Sequence, residues 1–354
     1  MRRVKFLFGR VVNFENLLLA AEKAQRGKRF HPPVLRFNYN LEQGLIRLEE
    51  ELRAHSYHPG PYHSFELVER KRRQISAAPY RDRVVHHALC NVIEPIFERS
   101  FIYHSYANRV GKGTHGAVDR YTYFARRYRY VLKCDISKYF PSIDHEILFR
   151  LIARKIGDPG VLWLVKTIID ASNLQQPVYE YFDGDDLFTP YERRRGLPLG
   201  NQTSQFFANV YLDPLDHFVK DKLRCKGYIR YVDDFVLFSN SKETLRQWFA
   251  QMGVFLGSLR LKLHPLKCHI WPVEHGVDFL GYRVYRDHRF LRRDNPVRCR
   301  QRLRLYQKQY SAGVLTLAEL TQRVRSWIGH AIHADTYRLR SRLLSQFEFV
   351  RGDG

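Results

Sequence analysis

The stretch Gly227-Tyr-Ile-Arg-Tyr-Val-Asp-Asp-Phe-Val-Leu-Phe-Ser239 says most about the fold and the chemistry of this chain. Its two acidic residues, Asp233 and Asp234, interrupt an apolar and aromatic run. This pattern predicts a tight β-hairpin with adjacent carboxylates at its tip. Two unpaired like charges beside hydrophobic strands are strongly unfavourable. We therefore expect a cation to bind at the tip, and magnesium is the natural candidate.

A third carboxylate separates this hairpin from an ordinary acidic turn. Asp185-Asp186 follows Asp183-Gly184, which predicts a solvated hairpin turn. Asp135, in contrast, ends the apolar strand predicted for Tyr130–Cys134. Phosphoryl transfer by two metals needs oxygen ligands that hold the ions about 3.5 to 4 Å apart. Carboxylates from two neighbouring strand ends supply such ligands, and hard oxygen favours magnesium, with manganese possible.

The charge of the chain indicates a polyanionic partner. Its 354 residues include 59 Lys and Arg against 36 Asp and Glu, a formal charge of +23. The basic residues are interleaved with Tyr, Phe and His, which favours nucleic acid over a membrane, although a merely basic surface is the alternative. Five scattered cysteines predict neither a disulfide framework nor a zinc site. Such cysteine usage fits a reducing cytoplasm, which is the expected location. No apolar stretch is long enough to span a bilayer.

The order of local patterns predicts an α+β protein with appended helical parts. Residues 64–68 and 74–78 flank the run Glu69-Arg-Lys-Arg-Arg73, which predicts a hairpin with a basic tip. Apolar periodicity predicts helices in the ranges 14–56 and 203–212, a helix that begins at about Asp82, and helices in the basic segments 297–310, 317–328 and 336–347. Two further helices are predicted from their capping residues: one begins after Ser142, and one runs from Ser241 to Met252.

Five motifs occur in the order seen in one family of polymerases. They are Asp135-Ile-Ser-Lys-Tyr-Phe-Pro-Ser-Ile-Asp144, Gly196-Leu-Pro-Leu-Gly-Asn-Gln-Thr-Ser-Gln205, Tyr231-Val-Asp-Asp234, Leu261-Lys-Leu-His-Pro-Leu-Lys267 and Phe279-Leu-Gly-Tyr282. With them the chain resembles the reverse transcriptases from about residue 65 to its C-terminus.

That resemblance implies a right-hand fold with an antiparallel palm sheet and a helical thumb. The implied domains are an N-terminal helical extension (1–63), the first part of the fingers (64–129), a palm (130–285) with a fingers insertion around 150–195, and the thumb (286–354).

The resemblance also implies roles for individual residues. Asp135, Asp233 and Asp234 are expected to bind the metals with the Ile136 carbonyl, and Lys267 to protonate the leaving pyrophosphate unless it is an ordinary surface lysine. Lys71 and Arg73 are implied to clamp the triphosphate, with a solvated charge run as the alternative, and Phe140 to be a steric gate against ribonucleotides, with a core ring as the alternative. Leu199, Gly200 and Gln205 are implied to contact the template and the nucleotide. The implied primer grip, for which a buried turn is the alternative, consists of Phe279, Leu280, Gly281 and Tyr282. His330 and His333 are expected to be nucleic-acid contacts or satisfied surface groups rather than metal ligands.

Two departures from the common family pattern point to a branch. Leu199 replaces a glutamine, and Gln205 replaces a proline, in a combination that resembles the diversity-generating retroelement branch. That branch copies RNA with frequent errors opposite adenine and works with a small helical accessory protein. The expected partners are an RNA template, a DNA primer or product and deoxynucleotides. An antiviral-defence reverse transcriptase that copies a structured noncoding RNA is the alternative, and a catalytically idle RNA-binding scaffold is another.

Overall fold

The computed structural model describes residues 3–68, 72–173 and 177–352. Its helices are α1 Phe8–Val12, α2 Phe14–Ala24, α3 Pro32–Tyr39, α4 Leu41–Arg53, α5 Tyr80–Glu98, α6 Thr114–Ala125, α7 Tyr139–Ser142, α8 His145–Ala153, α9 Pro159–Asp170, α10 Thr189–Glu192, α11 Gln202–His217, α12 Lys242–Ser258, α13 Asp294–Ser311, α14 Leu317–Ala331 and α15 Tyr337–Leu344. A π-helical turn, Phe218–Lys222, continues α11, and a 3₁₀ turn spans Val273–His275.

The strands form three antiparallel sheets. Their bounds are β1 His63–Val68, β2 Arg72–Ala77, β3 Tyr130–Cys134, β4 Gly227–Tyr231, β5 Asp234–Ser239, β6 His269–Pro272, β7 Val277–Phe279, β8 Tyr282–Val284 and β9 Arg289–Leu291. β1 pairs with β2, the central sheet has the order β4-β5-β3-β6, and β7, β8 and β9 form the third sheet. The predicted mixture of helices and antiparallel strands is confirmed.

The central sheet is buried on both faces because its strands alternate between two apolar cores. Leu132, Cys134 and Leu237 join a large core that includes residues of α5, α8, α11 and α12. Val131 and Val236 instead join a smaller core with α6 and the third sheet. Successive side chains of a strand point to opposite faces, so this alternation sandwiches the sheet between the two layers.

The N-terminal helices belong to the same packed unit as the central sheet. Leu17 of α2 and Leu45 of α4 are fully buried in the large core, and α2 packs along α5. Within the range 14–56, where helices were predicted, α2, α3 and α4 are helical, whereas residues 25–31, 40 and 54–56 are not. No helix in the described ranges is both long and apolar enough to cross a bilayer.

Two local predictions are wrong. The helix expected after Ser142 is capped by Asp144, whose Oδ1 accepts the Ile147 N–H at 3.0 Å, because Ser142 instead ends the short helix α7. Asp185-Asp186 follows a turn, but no strands flank it, so it is not a hairpin. The Asp185 side chain is buried against Arg193 rather than solvated.

Candidate active site at the tip of the central hairpin

The predicted acidic hairpin is formed by β4 and β5. Tyr231 pairs with Asp234, which leaves Val232 and Asp233 as a two-residue turn. Val232 has φ +56°, a left-handed conformation that is strained for a β-branched residue by about 1 to 3 kcal/mol. Backbone strain of this kind persists only where the surrounding structure enforces it, and it is common at functional sites.

Strand register brings the third carboxylate to this tip. β3 lies between β5 and β6, and Cys134 pairs with Phe235. Asp135, the next residue, therefore lies beside Asp234 on the neighbouring strand. The Asp135 carbonyl accepts the His264 N–H at 2.8 Å, and the Ser137 N–H donates to the Lys262 carbonyl at 2.9 Å. These two bonds flank Ile136 and hold the segment that follows β3.

Burial and nearby charges change the ionisation of Asp233 and Asp234. Burial, together with the charges of Asp234 and Asp135, raises the pKa of Asp233 from 3.8 to about 6. Burial also raises the pKa of Asp234, and the nearby Lys133 charge opposes that rise. The hairpin tip is therefore a partly buried cluster of acidic side chains, and such a cluster favours the binding of a cation.

Lys267 supplies a positive charge at this site. Its Nζ forms an ion pair with Asp135 Oδ2, although the two residues are 132 positions apart in sequence. As the side chains stand, no three His, Cys, Asp or Glu residues within 3–68, 72–173 and 177–352 form a group that could hold a metal ion. The donors fit magnesium in chemistry, since they are hard carboxylate oxygens, while Lys267 occupies one oxygen of Asp135.

A buried ion pair behind the hairpin was not anticipated from the sequence. Arg230 and Asp216 are both 0% exposed, and the guanidinium donates to both carboxylate oxygens, at 2.8 and 2.6 Å. Arg230 Nη1 also donates to the Val232 carbonyl at 3.1 Å and to Asn209 Oδ1 at 3.0 Å. Arg230 therefore fixes the strained turn from inside. The sequence feature that could have revealed this ion pair is Arg230 itself, because a lone arginine within an apolar strand requires a buried partner.

A second contact joins the basic hairpin to the Gly196–Gln205 motif. The Ser76 N–H of β2 donates to the Leu199 carbonyl at 3.0 Å. Asn201 is buried, and its Oδ1 accepts the Ala78 N–H at 3.1 Å. Gly200 has φ +120°, and a Cβ there would lie 3.1 Å from Ile75 Cγ2, so the turn favours glycine on two grounds. Asn201 was missed because its partner is remote in sequence.

The other predicted substrate residues are distributed around this junction. Phe140 is half-buried in α7, and its carbonyl accepts the Leu197 N–H at 3.0 Å. Gln205 lies in the first turn of α11 and is half-buried. Lys71 lies outside the described residues, and so does the side chain of Arg73, whose backbone is in β2.

The segment predicted as a primer grip is a hairpin turn in the third sheet. Leu280 and Gly281 both have positive φ, at +46° and +93°, as in a type I′ turn between β7 and β8. Phe279 is buried against Tyr121, and the Tyr282 hydroxyl lies 2.9 Å from His330 Nδ1. Lys133 Nζ donates to the Asp278 carbonyl at 2.9 Å, which connects this hairpin to the central sheet.

We expect the Asp233 carboxylate to reduce stability in a pH-dependent manner. An acid with a raised folded pKa keeps its proton in the folded state while the unfolded state loses it, here between about pH 3.8 and 6. The free energy of unfolding should therefore fall as pH rises through this window. In the presence of a metal chelator, Asp233→Asn should raise that free energy by up to about 3 kcal/mol at about pH 7.5 and leave it nearly unchanged at about pH 3, below both pKa values.

Urea denaturation of both proteins at the two pH values measures this effect. Asp183→Asn, which changes an exposed turn residue, is the matched control. An equal free energy of unfolding for wild type and Asp233→Asn at both pH values would contradict the electrostatic account.

The fold and the site together indicate a class of enzyme. A basic chain that presents clustered carboxylates at the hairpin tip of an antiparallel sheet is a template-directed nucleotidyltransferase. Residues 63–284 match the family model for reverse transcriptase (RNA-dependent DNA polymerase), so the chain belongs to the reverse transcriptase family. It is an RNA-directed DNA polymerase.

Its relatives include intron-encoded proteins. The chain is 25% identical over 330 residues to Protein YkfC of Escherichia coli K12, covering 80% of this chain and 84% of that protein. It is also 25% identical over 181 residues to the group II intron-encoded protein LtrA of Lactococcus lactis subsp. cremoris, covering 50% of this chain and 28% of LtrA. These similarities support a reverse transcriptase with group II intron-like relatives, while the retroelement branch remains a prediction.

Proposed function

We propose that the chain copies an RNA template into cDNA by two-metal phosphoryl transfer, as the error-prone reverse transcriptase of a diversity-generating retroelement. The observation that carries the chemistry is the meeting of Asp135, Asp233 and Asp234 at one end of the central sheet. The observation that carries the branch is Leu199, whose backbone joins the strand of the basic hairpin.

The chain's own residues provide the parts of this reaction. Asp135, Asp233 and Asp234, with the Ile136 carbonyl, would hold the metal ions. When bound, magnesium or manganese would polarise the attacking hydroxyl and stabilise the leaving pyrophosphate. Arg230 keeps the turn rigid. Lys267, already at Asp135, is positioned to leave that carboxylate and donate a proton to the departing group.

The same proposal assigns the remaining parts of the chain. Residues 1–63 form the extension, 64–129 the first part of the fingers, 130–285 the palm with its insertion around 150–195, and 286–354 the thumb. Phe140 serves as the steric gate, Lys71 and Arg73 clamp the triphosphate, Gly200 and Gln205 face the nucleotide and template, and Phe279–Tyr282 contact the primer. The support is that the central sheet lies within the palm range and α13–α15 within the thumb range.

Leu199→Gln should make the enzyme more accurate opposite adenine. A glutamine amide restores a hydrogen-bonding group beside the nascent base pair, where leucine offers none. We expect the error frequency opposite template adenine to fall about tenfold, equivalent to about 1.4 kcal/mol of discrimination. Sequencing of cDNA made on one RNA template measures this change.

Leu187→Gln, at an exposed leucine, is the control for this experiment and should keep the wild-type error spectrum. Wild-type errors no more frequent at adenine than at other bases would exclude the retroelement branch while leaving polymerase activity intact.

An intron-associated reverse transcriptase is a second candidate, favoured by the similarity to LtrA. The nucleic acid that co-purifies with the protein distinguishes the two. A retroelement enzyme should retain RNA from a template repeat that has a related variable repeat nearby. An intron enzyme should retain RNA of the intron that surrounds its gene. Primer extension on RNA tests the shared activity, and no extension with either metal would exclude both candidates.

A further inference from the structure

A row of alternating cations and tyrosines lies along the outer side of α6, outside the site described above. Lys112 Nζ is 3.3 Å from the ring centre of Tyr103. The Arg120 guanidinium lies 5.6 Å from Tyr103 and 4.8 Å from Tyr123, and Arg127 lies 3.6 Å from Tyr123. We call these five residues the α6 ladder. Tyr103 and Tyr123 are 64% and 41% exposed, so ring surface remains available to a ligand.

The three cations of the α6 ladder have no carboxylate partner among the described residues. Two acids in the same region are already engaged, since Asp119 pairs with Arg289 at 2.7 Å and Glu98 pairs with Arg109 at 2.8 Å. The positive charge of the ladder is therefore available to an external anion.

The surroundings of the ladder show the same excess of positive charge. Burial lowers the pKa of His104 to about 4, and the charges of Lys220, Arg120 and Lys112 contribute to that shift. The buried His104 Nδ1 has no hydrogen-bond partner within the described chain.

An arginine-lined cleft continues the ladder at its Arg127 end. This cleft of about 400 Å³ is lined by Arg126, Arg127, Tyr128, Arg129, Asn240 and Arg286, and no carboxylate is among its lining residues. Arg126 Nε donates to the Arg286 carbonyl at 3.0 Å, so two separate segments are joined there. Ladder and cleft together form a continuous cationic and aromatic surface.

The cleft at the Arg127 end of this surface lies away from the catalytic carboxylates. Arg129 precedes β3, whereas Asp135 follows it, so the cleft lies at the opposite end of the strand. Five residues of strand extend over about 17 Å. A ligand held in the cleft would therefore leave the acidic tip free, whereas the Tyr103 end of the ladder lies nearer to it, because the His104 carbonyl accepts the Arg230 N–H at 3.0 Å.

We propose that the α6 ladder and its cleft bind a single-stranded or bulged segment of RNA outside the catalytic cleft, such as a structured part of the template RNA. Exposed tyrosines stack unpaired bases, and arginine and lysine contact phosphates. An acidic protein would satisfy the charges but would not need the exposed rings. The inference rests on the proposed function for its RNA partner, but not on the catalytic residues.

Binding of a labelled single-stranded RNA of about 20 nucleotides tests the inference, with unlabelled primer–template duplex added to fill the catalytic cleft. Arg120→Gln/Arg127→Gln should weaken binding about tenfold at about 0.1 M salt and reduce the salt slope by about 1.4. Tyr103→Ala/Tyr123→Ala should weaken RNA binding about tenfold without changing the salt slope, and Tyr103→Phe/Tyr123→Phe should bind RNA like wild type.

The control variant Arg47→Gln/Arg53→Gln on α4 removes the same charge elsewhere and should change RNA affinity less than about twofold.

Primer extension on a short template should be unchanged in every ladder variant, which separates this inference from the proposed function. Unchanged RNA binding in both ladder pairs would overturn the inference. Equal losses in the arginine pair and the α4 control would do the same, since they indicate general charge attraction. A third outcome would refute the RNA assignment and assign the surface to an acidic protein. In that outcome, poly-aspartate competes for binding as strongly as unlabelled RNA does, and the Tyr103→Ala/Tyr123→Ala variant binds like wild type.

Discussion

Asp234→Asn should reduce RNA-templated primer extension by at least about 1,000-fold. Asp234 begins β5 beside Asp135, and asparagine keeps its shape while removing the charge that a metal ion requires. The fold should be retained, because burial already disfavours the ionised form of Asp234 and raises its pKa. Incorporation of labelled deoxynucleotide under single-turnover conditions measures the loss.

The control for this variant is Asp183→Asn, which should extend primers like wild type because Asp183 lies in an exposed turn. Circular dichroism of both variants checks that they are folded. Equal incorporation by Asp234→Asn and the wild-type protein would remove the acidic tip from the mechanism and place catalysis elsewhere in the chain.

Asp216→Ala should reduce the free energy of unfolding by about 3 to 5 kcal/mol, since it leaves the Arg230 charge buried without its partner. The loss is expected to be larger than for any surface ion pair. Arg246→Met, which breaks an exposed pair with Glu243, should cost less than about 1 kcal/mol. Urea denaturation of the two variants gives the comparison.

A double variant separates the contribution of Arg230 to stability, through its ion pair with Asp216, from its hydrogen bond to the Val232–Asp233 turn. Arg230→Met/Asp216→Leu replaces the pair by apolar side chains and should recover most of the lost stability. It still lacks the hydrogen bond from Arg230 to the Val232 carbonyl, so primer extension should remain low. Full activity in the stable double variant would show that the turn does not depend on Arg230.

Local features of the fold were predictable because they depend on neighbouring residues. The hairpin at Val232-Asp233 follows from two apolar runs around a short polar tip, and the antiparallel β1–β2 hairpin from the basic run between two strand patterns. The Ser241 cap was also predicted, and its Oγ accepts the Thr244 N–H at 3.3 Å. The cap at Asp144 was mispredicted because Ser142 and Asp144 are both good capping residues and only packing chooses between them.

The sequence by itself determined the family, since its ordered motifs resemble those of the reverse transcriptases and residues 63–284 match the model of that family, while a net charge of +23 is consistent with a nucleic-acid partner. Only the tertiary structure decided how the carboxylates are held. Strand register places Asp135 beside Asp234, Arg230 reaches from a strand to Asp216 on a helix, and Lys267 meets Asp135 across 132 residues. These contacts depend on long-range packing, in which partners far apart in the chain are chosen by burial and charge rather than by any local pattern.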